Sequence, residues 1–221
     1  MTNLFLTRYL YNFEGVKKTL IHTILSQQEE PSIFWGYELY YSGFQKETAD
    51  ILQEIYENFY KKHYPKLGEF INKKIKNIMQ DPSIVATIIK NILVKPIQPK
   101  KPESHNPRFI TIKPKQIEPF MTKPEIASPW KYLGEVCKYY LLSEIYDYDI
   151  FMIWRNDWLY HSYKTPIWKG RIDEYKGTID HSSKKIIFED EDLEEEFFNK
   201  YGYEPDEQPI EIQKRCLGVS N

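Results

Sequence analysis

The sequence predicts a mainly α-helical protein: a layer of about five N-terminal helices, a proline-rich strap, and a second helical lobe with a small β-hairpin. Three observations predict it. Apolar residues recur at spacings of three and four through most of the first 95 positions. Eight of the 14 prolines fall between Pro96 and Pro129, where they remove backbone donors and disfavour helix. Two short alternating runs flank a polar turn in GTIDHSSKKIIF. The expected organisation is a helical lobe at 1–95, a strap or linker at 96–129 and an α lobe with the hairpin at 130–221.

The elements follow in order. Asn12 can cap a first helix whose stripe is Phe13, Val16, Leu20 and Ile24, with Ile21 beside it. Pro31 suits the first turn of a second helix, Ser32 to Tyr41, with Gly43 as its stop. That helix is SIFWGYELYYSGF, which has six aromatics and one charge, Glu38. A helix apolar nearly all round is a core helix, so its rings read as interior filling. Glu38 then needs a partner, a tyrosine hydroxyl, Arg8 or a lysine, or else is a buried acid.

A third helix should present Leu52, Ile55, Tyr56, Phe59 and His63 on one face. Pro65 opens a fourth, with Leu67, Phe70, Ile71, Ile75, Ile78 and Met79 inward. Asp81-Pro82 starts a fifth through Ile84, Val85, Ile88, Ile89 and Ile92. The strap carries Phe109, Ile110, Ile112, Phe120 and Met121, so it should dock at points along the fold.

Ser128-Pro129 reads as a new helix start, with Trp130, Leu133, Cys137, Tyr140 and Leu141 on one face. DYDIFMIWRNDWLYHSY is nearly continuous in apolar residues and reads as helix. The hairpin uses Thr178, Asp180, Ile186 and Phe188. Asp190 or Asp192 caps a helix ending at Gly202, and a last short helix runs from Pro209 to Gly218.

Several function classes find no support. No run approaches the roughly 18 apolar residues of a membrane span, and the N-terminus does not read as a secretory signal. Two cysteines, Cys137 and Cys216, suit a reducing compartment rather than a disulfide framework. The five histidines show no metal-ligand spacing, and no cofactor is implied. Only 9 glycines occur, and no P-loop, dinucleotide or nucleophile-elbow motif is present. The acidic run Glu189 to Glu196 lacks calcium-loop spacing and suits a helix start. Asp157 and His161 would share a helical face. They form a minimal acid–base unit or an ordinary hydrogen bond.

Charge is unevenly spread. Residues 61–123 carry 14 basic and 4 acidic side chains, between acidic flanks. Lys61, Lys62, Lys66, Lys73, Lys74 and Lys76 line the polar side of two helices. Lys95, Lys100, Lys101, Arg108, Lys113, Lys115 and Lys123 stud the strap. Such a stripe can bind phosphates without reading sequence, or can be neutralised within the molecule. Few aromatics are expected between the charges.

The segments YLYNFEGVKKTLIHTIL and SIFWGYELYYSGF, with SPW, TPIWKGRI and FFNKYGYEPDEQ, resemble uncharacterised proteins of giant nucleocytoplasmic large DNA viruses. The resemblance covers both ends of the chain. It implies a viral origin and a setting in the host cytoplasm, viral factory or virion, with no mechanism and no site residues. The leading expectation is therefore a non-enzymatic interaction or scaffold module with a viral protein partner. Nucleic-acid binding through 61–123 is the alternative. An enzyme using Asp157 and His161, or Glu38, is a third.

Overall fold

The computed structural model describes residues 5–9, 11–120 and 157–201. Expectations for Met121, Lys123, the helix from Ser128-Pro129 through Leu141, the part of DYDIFMIWRNDWLYHSY before Asp157, Gly202 and the last helix lie outside the described residues. The protein is mainly helical, with one small two-stranded antiparallel sheet toward the C-terminus. Backbone contacts group residues 17–120 into one unit. They group 5–16 with 157–201 into another, so the opening segment expected in the first lobe groups with the C-terminal elements.

Five α-helices occupy the N-terminal part: α1 (Phe13–Leu25), α2 (Glu29–Tyr41), α3 (Gln45–Ile55), α4 (Pro65–Ile75) and α5 (Ser83–Leu93). Asn12 caps α1 as expected, its Oδ1 accepting the Glu14 and Gly15 N–H groups at 2.9 and 3.4 Å. Val16, Leu20 and Ile24 are fully buried. The second helix starts earlier than expected, so Pro31 still falls in its first turn, and Gly43 ends it at φ 94°. α2 packs chiefly on α5. Gly36 permits the approach: a Cβ there would lie 2.7 Å from Ile89 Cδ1 and 3.1 Å from Val85 Cγ1.

The third helix departs from a simple α stripe. After Ile55 the chain makes a π turn over Tyr56–Tyr60, closed by the Lys61 N–H on the Tyr56 carbonyl at 2.9 Å. The wider turn carries Phe59 off the inward face and brings Tyr60 onto it. Phe59, expected inside, is exposed, whereas Tyr60 is fully buried. Met79 is also a correction. α4 stops at Ile75 and the turns that follow leave Met79 outside, while Ile78 stays in.

The strap docks by specific bonds. The Tyr64 hydroxyl donates to the Pro96 carbonyl at 2.8 Å. Glu103 accepts the Lys66 N–H at 2.9 Å, capping the first turn of α4 from outside the helix. Asn91, on α5, accepts the Ile110 N–H at 2.9 Å and donates to the Ile110 carbonyl at 2.7 Å. The Ile112 N–H reaches Thr87 Oγ1 at 3.0 Å. Ile112 and Ile117 are buried, and Phe120 stacks on Tyr37 with centroids 5.7 Å apart. Ile110 is exposed, against expectation, because Asn91 holds its backbone rather than its side chain.

In the other unit, Leu6 and Asn12 form an isolated bridge. The Trp168 indole N–H donates to the Thr7 carbonyl at 2.9 Å, and the Thr165 hydroxyl donates to that of Leu6. Residues 157–162 are helical. Helix α6 (Pro166–Glu174), strands β1 (Thr178–Asp180) and β2 (Lys185–Ile187), and α7 (Glu191–Tyr201) follow. Ile179 pairs with Ile186 in the hairpin, and Ile186 and Phe188 are buried. Asp190 caps α7, accepting the Leu193 N–H at 2.9 Å. Trp158, Trp168, Ile172 and Phe197 form the core of this unit, with Trp158 edge-on to Trp168 at 5.5 Å.

Candidate functional site

The aromatic stretch is interior. Trp35 is 1% exposed and Tyr40 5% exposed. The Tyr37 hydroxyl donates to the Pro82 carbonyl at 2.9 Å and that of Tyr40 to the Ile78 carbonyl at 2.8 Å. These rings therefore fasten α2 to the α4–α5 connection. Burial holds the Tyr37 phenol far above its ordinary range. Glu38 is also fully buried and is engaged with neighbouring groups.

Asp157 and His161 sit one turn apart on the helical segment, yet no hydrogen bond joins them. The His161 Nδ1 is enclosed with no hydrogen-bond partner among the described residues. Burial above all, with Lys164 and Lys184 adding to it and Asp157 opposing, lowers its pKa to about 4. The imidazole is neutral near pH 7, and among the described residues no carboxylate is hydrogen-bonded to it as in a general-base dyad. Among the described residues no group of three or more His, Cys, Asp or Glu could hold a metal. No described helix is long and apolar enough to cross a membrane.

Lys66 and Lys73 on α4 share a depression with residues of the strap, and Lys95, Lys100 and Lys101 line another along it. Lys62, Lys66, Lys73 and Lys76 are exposed, as are Lys100, Lys101, Arg108, Lys113 and Lys115. Lys61 pairs with Glu57, and Lys66 with Glu69 at 3.2 Å. Lys62, Lys73, Lys76, Lys100, Lys101, Arg108, Lys113 and Lys115 form no ion pair with a described carboxylate. Lys74 is half-buried, its Nζ 5.8 Å from the Phe70 ring centre.

Two adjoining depressions shape this face. One, of about 570 Å³, lies along the strap between Tyr64 and Ser104 and includes Lys95, Lys100, Lys101 and Glu103. The other, of about 360 Å³, lies between α4 and the strap; Lys66, Phe70, Lys73, His105 and Phe109 are among its walls. The Glu103–Lys66 bond links the two. Phe70 and Phe109 stack in the second depression, amid the charges, where sequence reasoning expected few aromatics. A signal was available: Lys66, Phe70, Lys73 and Lys74 share one side of α4 by helical spacing.

No family model, curated protein or solved structure matches this chain.

Proposed function

We propose that this protein is a non-enzymatic interaction module of a giant-virus assembly, and that its basic face binds an anionic polymer, RNA or DNA, with little sequence preference. The observation that carries this reading is the row of lysines on α4 and the strap that no described carboxylate neutralises. The strap is fastened at Pro96, Glu103, Ile110 and Ile112, which fixes its path, and Glu103 and Phe109 hold part of it against α4. Phosphate contacts of this kind release counterions and give salt-sensitive affinity. The side chains are mostly Lys, which contacts phosphate as a point charge rather than reading base edges.

The test is fluorescence anisotropy with labelled single-stranded and duplex oligonucleotides across a salt series. Binding should weaken steeply with salt, and replacing Lys73, Lys76, Lys113 and Lys115 by Ala should weaken it for every sequence. No binding at low salt would remove the proposal, as would binding unchanged in that variant.

A protein partner is the second reading. It is favoured by the acidic start of α7, where Glu191, Asp192, Glu194, Glu195 and Glu196 are all exposed. Crosslinking in infected cells should lose a specific product when Glu191, Asp192 and Glu194 become Ala; an unchanged pattern would count against it.

A further inference from the structure

The depression between α4 and the strap has an aromatic floor as well as a charged rim. The Phe70 and Phe109 rings stack at a centroid distance of 4.2 Å and 14° between planes. Both are only half-buried, and both line the depression. Its volume of about 360 Å³ falls in the range of small-ligand sites. Lys73 and His105 also line it, as do Lys66 and Glu69, which pair with each other at 3.2 Å, and Lys74 approaches the Phe70 ring. Phe109 is held in place beforehand. Pro107 restricts the backbone before it, and Asn91 bonds both backbone polar groups of the next residue, Ile110. A ring fixed in this way loses little freedom when a ligand settles on it.

From this geometry we infer that the depression is a base-stacking subsite for single-stranded nucleic acid. One unpaired base stacks on the Phe70–Phe109 pair while a flanking phosphate meets Lys73, which no described carboxylate pairs. The inference rests on the proposed polyanion-binding role of the same face and adds strand selectivity to it. A duplex hides the faces of its bases in its own stack, so only a strand with unstacked bases reaches the rings. The contact uses a π-face and phosphates, so it tolerates any base and either sugar.

The experiment compares the full-length protein with Phe109→Leu and Phe109→Trp. Leu keeps the apolar anchor of the strap and removes the π-face; Trp keeps a π-face. The probes are labelled oligothymidylate, oligouridylate and a duplex of the same length, each titrated across salt. Phe109→Leu should weaken both single strands about tenfold, leave duplex affinity and the salt slope unchanged, and Phe109→Trp should restore the single-strand affinity. Equal loss for single strand and duplex would overturn the inference, because the ring would then only hold the strap. Unchanged single-strand binding in Phe109→Leu would also overturn it, and would leave the polyanion reading standing if the lysine variant still loses affinity. If no oligonucleotide binds the unaltered protein at low salt, the subsite and the wider reading fall together.

Discussion

Tyr60 and Phe59 are neighbours with opposite fates. Tyr60 is fully buried and Phe59 is 38% exposed, solely because the π turn sets the phase of the helix. Phe59→Ser should therefore cost clearly less than Tyr60→Ala, which should cost about 3–5 kcal/mol. A regular α stripe predicts the reverse order, so urea denaturation of the two variants separates the cases. The Tyr60 hydroxyl is enclosed with no partner among the described residues, so Tyr60→Phe should be neutral or mildly stabilising.

His161 gives a pH signature at the same scale. Unfolded, the ring takes a proton near its ordinary value of 6.5; folded, it does so only near 4. The unfolded state thus binds the extra proton first as pH falls. The contribution of this residue to stability is complete above about pH 6.5 and is lost as pH drops toward 4. Urea midpoints measured across that window should fall, and His161→Gln should flatten that part of the profile. Equal slopes in both proteins would contradict the assignment.

At the scale of the element, the strap matters most. Between Pro96 and Ile112 the strap forms no helix or strand of its own, so its position there depends chiefly on groups elsewhere. Asn91 is the chief one: 1% exposed, it acts as donor and acceptor toward Ile110 and also donates to the Thr87 carbonyl at 2.7 Å. Asn91→Leu should cost about 1–3 kcal/mol and speed amide exchange at Ile110. Asn91→Asp keeps an acceptor for the Ile110 N–H but loses both donor bonds and buries a charge. Burial should raise the new carboxyl's pKa, so this variant should be weakest at neutral pH and recover as pH falls through that raised value. Exchange at Ile110 as slow in Asn91→Leu as in the native protein would show that the strap is held by other groups.

At the scale of the whole molecule, charge distribution outweighs net charge. The formal net charge is only −2, yet residues 61–123 carry 14 basic side chains against 4 acidic ones. Some of these cations are paired: Glu57, Glu69 and Glu29 pair with Lys61, Lys66 and Lys90, and Glu103 accepts the Lys66 N–H at the start of α4. The remaining cations would set the salt dependence of any polyanion complex. Each lysine that contacts phosphate and is replaced by Ala should lower the slope of log affinity against log salt by about 0.7 for a single strand. Replacements at Lys17 or Lys18, on α1 and outside the basic stretch, should leave that slope alone.

Much of the architecture was legible in the sequence because it is written in local physics. The caps at Asn12 and Asp190, the proline start at Pro65, the stop at Gly43 and the hairpin around Asp180 each depend on residues a few positions apart. The burial of Phe34, Trp35, Tyr37 and Tyr40 was legible too, because a helix apolar on every side has nowhere else to go. Tertiary structure alone decided the phase of the helix after Ile55, the seating of the strap and the meeting of Phe70 with Phe109. Those outcomes depend on contacts between segments far apart in the chain. The extended part of the strap lies where the groups it lands on hold it: Asn91 and Thr87 on α5 and the first turn of α4.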